Sequence, residues 1–172
     1  AEAAGAGVID NSSAFRRYAD IPLVIPEINA DCINLDKRRI IANPNCSTIQ
    51  AILPLKYVAR TQGIARLIFS TYQATSGNGK KGVCDLLLSR QGFSPAYYPL
   101  SVAKTCLCKI GETMSDGYTD EEEKMRFETN KILGISAKIS ATCIRVPIEN
   151  CHLTGNCRVA VFLSIGNFVS IR

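Results

Sequence analysis

The apolar positions of this chain fall in short blocks separated by polar turns, and their spacing predicts both strands and helices. Residues 65–72 and 138–146 have the β-branched, aromatic and alternating composition that is typical of strands, and residues 158–165 predict another strand. Residues 8–10 predict a short strand near the start, and further short apolar runs follow, at 23–25 and 40–42. Helices mixed with several strands indicate an α/β or α+β domain.

The clearest helix is predicted at residues 119–133. Thr119 suits the N-cap position, and Glu122 stands three residues later, which is the capping-box pattern. Acidic residues fill the first turn, Lys131 lies in the last turn, and Gly134 follows as a stop signal. Both ends of this helix are therefore marked in the sequence itself.

Three further segments have helical features. An apolar stretch at 49–58 predicts a helix that Pro54 kinks or restarts. Residues 83–88 predict a short helix after a flexible turn at 76–79, and residues 1–7 predict the end of a helix.

The composition limits the classes of function. The chain has 172 residues, 47% of them apolar, with 20 basic and 15 acidic residues, which suits one domain or parts of two. No apolar run is long enough for a transmembrane helix, and the first residues do not read as a secretory signal, so no membrane association is expected. The basic residues are scattered rather than aligned in a stripe, which disfavours nucleic-acid binding and suits a small anionic ligand.

The eight cysteines predict neither a disulfide framework nor a metal centre. Without a secretory signal, disulfides are not expected, and most of the cysteines read as small core residues. A zinc site is an alternative, although no CxxC knuckle is present to favour it. Its candidate ligands would be Cys106, Cys108, Cys143, Cys151, His152 and Cys157.

The most informative thiol lies in the Asn-Pro-Asn-Cys-Ser-Thr turn at residues 43–48. Cys46 follows the tight turn and opens the apolar stretch that predicts a helix. Unpaired backbone N–H groups at a helix start favour the thiolate, which is the reactive form in covalent catalysis. A buried structural cysteine is an equally good interpretation of this residue taken alone.

Other polar residues, Gln73, Arg145 and His152, stand near the ends of predicted strands or in turns. His152 is the only histidine, and an imidazole has the pKa that suits acid/base work at neutral pH. A guanidinium is the usual clamp for a carboxylate. Each residue also has a plain structural interpretation, as a turn cap, an ion pair or a loop residue, so only their combination with Cys46 indicates a site.

Several strings occur in order along the chain and together carry a family resemblance. They are residues 8–16 (VIDNSSAFR), 43–48 (NPNCST), 70–73 (STYQ) with Ser76 and Gly77, Glu121 and Lys124 with 128–131 (ETNK), and 140–147 (SATCIRVP) with His152. In this respect the chain resembles the aspartate-semialdehyde dehydrogenase family. The resemblance covers about residues 6–91 and 117–152.

The resemblance implies an NADP-dependent oxidoreductase of lysine, threonine and methionine biosynthesis. It would interconvert L-aspartate 4-semialdehyde, with phosphate, and 4-phospho-L-aspartate. By position, Cys46 is implied to be the nucleophile that forms a thioester, His152 the acid/base, and Gln73 the residue that orients the substrate.

The implied binding residues answer the charges of an amino-acid phosphate. Arg145 would pair with the α-carboxylate, Glu121 with the ammonium group, and Asn45 with the reacting oxygen. The implied phosphate anchors are Arg16 and Lys124, and the loop that touches the nicotinamide of NADP is formed by Ser76 and Gly77. Glu121 and Lys124 are three residues apart on the predicted helix and so share a face, which an intrahelical ion pair would also explain.

The implied fold is α+β (α/β), a mixed β-sheet with helices packed on one face, preceded by the tail of a Rossmann-type domain. Residues 1–44 would be the remnant of the NADP-binding domain, and residues 45–172 an incomplete catalytic and dimerisation domain. The full-length protein is expected to form a homodimer or homotetramer in the cytoplasm, or in the plastid of a plant.

The cofactor-binding half is expected to be largely missing. No G-x-G-x-x-G loop follows a strand, so the chain alone should bind NADP poorly. This favours one alternative, a non-catalytic, dimer-forming domain. A second alternative is an enzyme like N-acetyl-glutamyl-phosphate reductase, whose nucleophile motif usually has glycine where this chain has Asn45.

Overall fold

The computed structural model describes residues 4–37 and 39–159 of the chain. This part forms a two-stranded sheet, a three-stranded sheet and several helices. None of the helices in the described part has the length and apolar character that crossing a membrane requires.

The two-stranded sheet lies in the first quarter of the chain. Strand β1 (Val8–Asp10) pairs in parallel with β2 (Ile40–Ala42), which confirms the strand predicted at 8–10 and shows that the apolar run at 40–42 is also a strand. Leu23 forms an isolated parallel bridge to Ala42, so the apolar run predicted there lies against β2 and ends where helix α1 (Pro26–Asn29) begins. Parallel pairing with a helix between strands is the arrangement expected for the tail of a Rossmann-type domain.

The three-stranded sheet is mixed, as predicted. Its central strand β3 (Arg66–Gln73) pairs in parallel with β4 (Lys138–Arg145) and antiparallel with β5 (Leu153–Val159). The register of β3 and β4 sets Gln73 opposite Arg145 at the carboxyl ends of both strands. Two predicted site residues, far apart along the chain, are therefore neighbours because of strand pairing.

The helices begin and end at residues with a local reason. Helix α2 (Cys46–Ile52) passes through a 3-10 turn at Leu53–Leu55 into α3 (Lys56–Thr61), because Pro54 cannot continue the α-helical hydrogen bonding. Helix α5 (Asp120–Leu133) has the predicted capping box at Thr119, and Gly134 ends it in the left-handed conformation at φ 64°. Between them runs α4 (Gly79–Arg90).

The core lies between one face of the larger sheet and helices α2 and α5. Leu67 and Phe69 of β3 are completely buried and pack in the same cluster as Ile52, Met125 and Ile132. Burying each such side chain contributes about 1.5–3 kcal/mol relative to exposure. The alternating burial of β3 confirms that helices cover one face of this sheet.

Two predicted elements have different bounds in the structure. The short helix predicted at 83–88 begins four residues earlier, because Gly82 fits against the loop that follows: a Cβ added there would lie 2.6 Å from the hydroxyl oxygen of Tyr98. The prediction of a strand that begins at residue 158 was wrong about its start, because β5 begins at Leu153. Its first residues have low β propensity, and pairing with β3 supplies their hydrogen bonds. Residues 160–165 of that prediction and 1–3 of the predicted helix end lie outside the described residues.

Candidate active site

The Cys46 turn connects the end of β2 to the start of α2. The N–H of Asn43 donates to the carbonyl oxygen of Asp10 over 2.7 Å, which fixes the chain as it leaves the small sheet. Asn45 is the N-cap residue in an extended conformation, and Cys46 is the first residue of α2. The thiol is exposed, and its Sγ donates to Oδ1 of Asn45 over 3.6 Å. The structure thus presents this sulfur to solvent instead of burying it in the core.

Glu121, in the first turn of α5, is the centre of a hydrogen-bond network. Its Oε1 accepts from Nδ2 of Asn45 over 2.8 Å and from Nε2 of Gln73 over 3.1 Å, and its Oε2 accepts from Nζ of Lys124 over 3.4 Å. Glu121 itself is only 7% exposed. Three predicted site residues therefore share the buried carboxylate of a fourth, and Cys46 joins them through Asn45.

The network determines how the amide of Asn45 points. Because Nδ2 donates to Glu121, the other end of the amide, Oδ1, faces the thiol of Cys46 and accepts from it. In this orientation Asn45 acts as an acceptor for the thiol, and its donor is occupied. A role of Asn45 towards the reacting oxygen stays a prediction, and the structure adds that its Oδ1 contacts the sulfur.

His152 and Arg145 meet at the peptide that follows Gln73. The N–H of Ala74 donates to Nδ1 of His152 over 3.0 Å, and Nη1 of Arg145 donates to the carbonyl oxygen of Ala74 over 2.5 Å. Since Nδ1 accepts a hydrogen bond, the proton of the neutral imidazole lies on Nε2. Burial lowers the pKa of His152, and the positive charge of Arg145 lowers that pKa further, while Glu121 opposes both. The imidazole is thus a neutral donor at neutral pH.

Arg145 is held in a fixed orientation, and its guanidinium has further N–H donors that no described residue accepts. It is 3% exposed, and its backbone exchanges two hydrogen bonds with Leu107. To the described residues, its side chain donates a single hydrogen bond, the one to Ala74. A cavity of about 660 Å³ opens beside it, lined also by Tyr97, Tyr98 and Lys109. Neither Cys46 nor His152 lines that cavity, so Arg145 lies between it and the thiol network.

Arg16 and Lys124, the predicted phosphate anchors, line one cavity of about 210 Å³. Arg16 is buried, and its guanidinium donates to the carbonyl oxygens of Asn11 and Ser12 and to Oε1 of Glu128 at 3.0 Å. Burial by itself lowers the pKa of Lys124. The negative charges of Glu121 and Asp120 outweigh burial, so the pKa of Lys124 is raised on balance. Lys124 therefore stays charged next to the space that it shares with Arg16.

Ser76 and Gly77 lie in a 3-10 turn at Thr75–Asn78 that is tied to the segment before His152. The N–H of Ser76 donates to the carbonyl oxygen of Glu149, and the N–H of Gly77 donates to that of Ala74. A Cβ added at Gly77 would lie 2.9 Å from Nη1 of Arg145 and 3.4 Å from Cε1 of His152. Glycine is needed here because the turn passes directly over these two side chains.

The sequence did not single out two positions that the structure places at the site. The backbone of Ala74 binds both His152 and Arg145, and no sequence signal marks a backbone role of this kind. Glu128 is 1% exposed and accepts from Arg16 and from the N–H of Asn45. A signal for it existed: Glu128 falls on the buried stripe of α5 with Met125 and Ile132, and a carboxylate at a core position needs partners.

The cysteines are free thiols wherever the structure describes their side chains. Within residues 4–37 and 39–159, no three side chains of His, Cys, Asp or Glu are grouped as metal ligands. Burial raises the pKa of Cys143 to about 12, so this thiol stays protonated in the core. The side chain of Cys157, one of the candidate zinc ligands, lies outside the described part.

All ten predicted site residues are thus connected in space. Cys46, Asn45, Gln73, Glu121 and Lys124 form one hydrogen-bonded chain. Arg145 and His152, with the turn of Ser76 and Gly77, adjoin it through the backbone of Ala74, the residue after Gln73, and Arg16 joins it through Glu128 and the backbone of Asn45. No hydrogen bond among the described residues joins Cys46 directly to His152.

Known proteins share both the sequence and this fold. Aspartate-semialdehyde dehydrogenase of Aquifex aeolicus is 44% identical in an alignment of 157 residues, and the match covers 86% of this chain and 46% of that protein. The chain thus spans about half the length of the curated relatives it matches. The crystal structure of aspartate semialdehyde dehydrogenase II from Vibrio cholerae complexed with ASA matches with a TM-score of 0.84 at 40% identity. This match covers 90% of the present chain and 48% of the Vibrio cholerae chain. The Candida albicans enzyme solved with NADP has a TM-score of 0.69 at 26% identity and covers 96% of this chain and 47% of its own.

Family descriptions match both parts of the chain. The NAD binding domain of semialdehyde dehydrogenases matches residues 1–35, and their dimerisation domain matches residues 55–170. The second match alone covers more than half of the chain. The chain therefore belongs to the semialdehyde dehydrogenase family, and the relatives that it matches within this family are aspartate-semialdehyde dehydrogenases.

Proposed function

We propose that this chain is the catalytic part of an NADP-dependent aspartate-semialdehyde dehydrogenase of lysine, threonine and methionine biosynthesis. The observation that carries the proposal is the continuous network from the exposed thiol of Cys46 through Asn45 and Glu121 to Gln73, with His152 and Arg145 bound to the next peptide. These residues supply a nucleophile, a proton donor and a carboxylate clamp, which is the set that acyl transfer to a thiol requires.

In the reductive direction, the thiolate of Cys46 attacks the acyl carbon of 4-phospho-L-aspartate. The carbon–oxygen bond to phosphate breaks, phosphate leaves, and a thioester on Cys46 remains. Arg16 and Lys124 are the cations that would take up the charge of the leaving phosphate, since both line the same small cavity. Before this step Asn45 holds the protonated sulfur at the start of α2, because its Oδ1 accepts from the thiol, and the exposed thiol gives up its proton to solvent as the thiolate forms.

The two charged groups of the amino acid have separate partners. The free donors of the Arg145 guanidinium suit the α-carboxylate, for which a planar fork gives two parallel hydrogen bonds. The α-ammonium group would join Oε2 of Glu121, which Lys124 approaches only to 3.4 Å. Oε1 stays occupied by Asn45 and Gln73, so Glu121 binds the substrate and holds the nucleophile turn at the same time.

His152 acts through its Nε2–H. After reduction of the thioester, the oxygen of the thiohemiacetal carries negative charge, and a donor placed at that oxygen lowers the barrier. Collapse then expels the thiolate of Cys46 and releases the aldehyde. The N–H of Ala74 keeps Nδ1 unprotonated, so His152 serves as the donor to oxygen in these steps, and the thiol is held by Asn45 instead.

NADP, when bound, supplies the hydride for this reduction. The turn of Ser76 and Gly77 fits its nicotinamide end, because glycine leaves the space above His152 and Arg145 open. The sequence has no glycine-rich loop for the pyrophosphate, so the remaining contacts of the cofactor would come from a separate dinucleotide-binding part.

The decisive experiment is complementation. The chain is mixed with a separately produced dinucleotide-binding domain and assayed for phosphate-dependent reduction of NADP⁺ with aspartate semialdehyde. Turnover is expected with the wild type and lost in Cys46→Ala, whereas Cys84→Ala, which removes an exposed thiol of α4, retains it. Turnover that persists in Cys46→Ala would refute the thioester route. Turnover absent from every mixture would favour the non-catalytic alternative.

Labelling of the chain by itself tests the nucleophile. Iodoacetamide at neutral pH should modify Cys46 before the other exposed cysteines, and Cys143 last, because burial keeps that thiol protonated. Site-resolved mass spectrometry measures each rate. Equal rates at Cys46 and Cys84 would contradict an activated thiol.

We further propose that the chain forms a homodimer through the uncovered face of the larger sheet. Ile68 and Tyr72 of β3 and Leu153 of β5 are exposed on that face, and Tyr72 pairs with Leu153 in register. Exposed apolar positions in a row are typical of an interface. Analytical ultracentrifugation should show a dimer that Tyr72→Lys dissociates, with Tyr57→Lys, on α3, as the control.

A cytoplasmic location, or a plastid in a plant, is part of the same proposed function.

A further inference from the structure

Glu128 connects Arg16, at the proposed phosphate cavity, with Asn45, in the proposed nucleophile turn. Its Oε1 accepts from Nη1 of Arg16 over 3.0 Å, and its Oε2 accepts from the backbone N–H of Asn45 over 2.7 Å. The carboxylate is 1% exposed, and it spans partners that lie 112 and 83 residues away in the sequence. A single buried anion therefore touches the anion cavity on one side and the nucleophile turn on the other.

Such an arrangement makes the two hydrogen bonds interdependent. A carboxylate shares its negative charge between its oxygens, so a stronger pull by the guanidinium at Oε1 weakens the bond that Oε2 accepts. Arg16 is also one of the cations lining the cavity with Ser13, Arg17 and Lys124. An anion that enters this cavity competes with Glu128 for Arg16 and so strengthens the hydrogen bond to Asn45.

From this geometry we propose that Glu128 is a positioning residue that couples phosphate at Arg16 to the backbone of the Cys46 turn. The inference rests on the proposed function, because it takes Arg16 as a phosphate anchor and Cys46 as the nucleophile. Glu128 touches neither reacting atom. Phosphate binding or release is expected to tighten or loosen the backbone that holds the sulfur.

The test reads the Asn45 amide directly. In ¹⁵N–¹H correlation spectra of the full 172-residue chain, a charge-assisted hydrogen bond shifts this amide proton downfield. Glu128→Gln should move it upfield, because a neutral acceptor replaces the carboxylate. Arg16→Gln should move it further downfield, because the carboxylate no longer shares its charge. Glu27→Gln, an exposed site on α1, is the matched control and should leave it in place.

Titration with inorganic phosphate tests the coupling. Phosphate should move the Asn45 amide downfield in the wild type and leave it unchanged in Glu128→Gln. An Asn45 signal that does not respond while the signals of Ser13, Arg16 or Lys124 do would overturn the proposal. So would an Arg16→Gln variant that is folded and has an unchanged Asn45 amide.

The outcomes separate this inference from the proposed function. If phosphate moves no signal of the cavity, the anion anchors fail, and Arg16→Gln alone decides whether Glu128 couples the two sides. If Cys46 is alkylated no faster than Cys84, the nucleophile fails, whatever the amide shifts show. Should Glu128→Gln not fold, the wild-type titration and Arg16→Gln still give the answer.

Discussion

The side-chain amide of Asn45 donates to Oε1 of Glu121 over 2.8 Å, and this bond decides that the oxygen of Asn45 faces the thiol of Cys46. A carboxylate accepts only, so it holds the amide in one of its two orientations. The nucleophile turn is thereby oriented by a residue from a helix 76 positions away in the sequence.

Replacing Glu121 with glutamine should damage catalysis more than folding. A glutamine in the same orientation keeps its oxygen on Asn45 and Gln73, but it places an NH2 donor where Oε2 accepts from Lys124 and where the substrate ammonium group is proposed to bind. The reversed orientation turns that donor towards Asn45 and Gln73 instead, so a partner is lost in either case. In the complemented enzyme, kcat/KM is expected to fall about a hundredfold, which is roughly 2.7 kcal/mol of transition-state stabilisation.

Glu123→Gln is the control for this change, because Glu123 lies two residues further along α5 and pairs with Arg17 and Arg126 instead. Activity equal to that of the wild type in Glu121→Gln would show that the negative charge of Glu121 does not matter to turnover.

Stability should fall when the solution becomes mildly acidic, because of His152. Its pKa in the folded state lies below the ordinary value of 6.5, owing first to burial and then to Arg145. As the pH falls below about 6.5, the unfolded chain binds a proton that the folded site resists, so the stabilisation present above that pH is lost.

Urea unfolding at several pH values between about pH 7 and pH 5.5 would measure this loss of stability. Unperturbed carboxylates do not titrate in this pH range. His152→Gln removes the titrating group, so its stability should depend less on pH across the same range. Equal slopes for the two proteins would mean that His152 is not the cause.

Cys151, next to His152, is the one non-glycine residue of the described part with a positive φ, at 73°. A side chain in this conformation costs about 1 kcal/mol, and glycine removes the cost. Cys151→Gly should therefore raise the free energy of unfolding by about 1 kcal/mol. The same replacement at Cys84, inside helix α4, should lower it by about 0.5–1 kcal/mol. Chemical denaturation measures both, and a loss of stability in Cys151→Gly would contradict the strain.

Lys131 fastens the segment after β1 to helix α5. Its Nζ donates to the carbonyl oxygens of Arg16, Tyr18 and Ile21 at 2.9, 2.6 and 3.0 Å. Lys131→Met should lower the free energy of unfolding by about 2 kcal/mol, because three carbonyl groups lose a charged donor and two of these bonds are partly buried. Lys81→Met, at an exposed position of α4, should change it little. Thermal unfolding of both variants makes the comparison, and equal midpoints would show that the three bonds contribute nothing net.

Local features of the fold were predictable because their causes lie within a few residues. The capping box at Thr119 and the left-handed Gly134 both act within one helical turn, and Pro54 breaks the helix at its own position. The start of β5 at Leu153 was not predictable, since pairing with β3 supplies hydrogen bonds that no local propensity anticipates. The division of the chain into two domains after residue 44 stays a prediction.

The sequence by itself determined the family of the chain and the set of candidate site residues, because a thiol after a tight turn, a single histidine and a fixed order of motifs are visible in one dimension. Only the tertiary structure decided how these groups are oriented. The acceptor end of Asn45 faces the thiol, the proton of His152 lies on Nε2, and Glu128 joins Arg16 to the nucleophile turn. Each of these depends on a hydrogen bond between residues more than 70 positions apart, and strand pairing and helix packing bring those residues together.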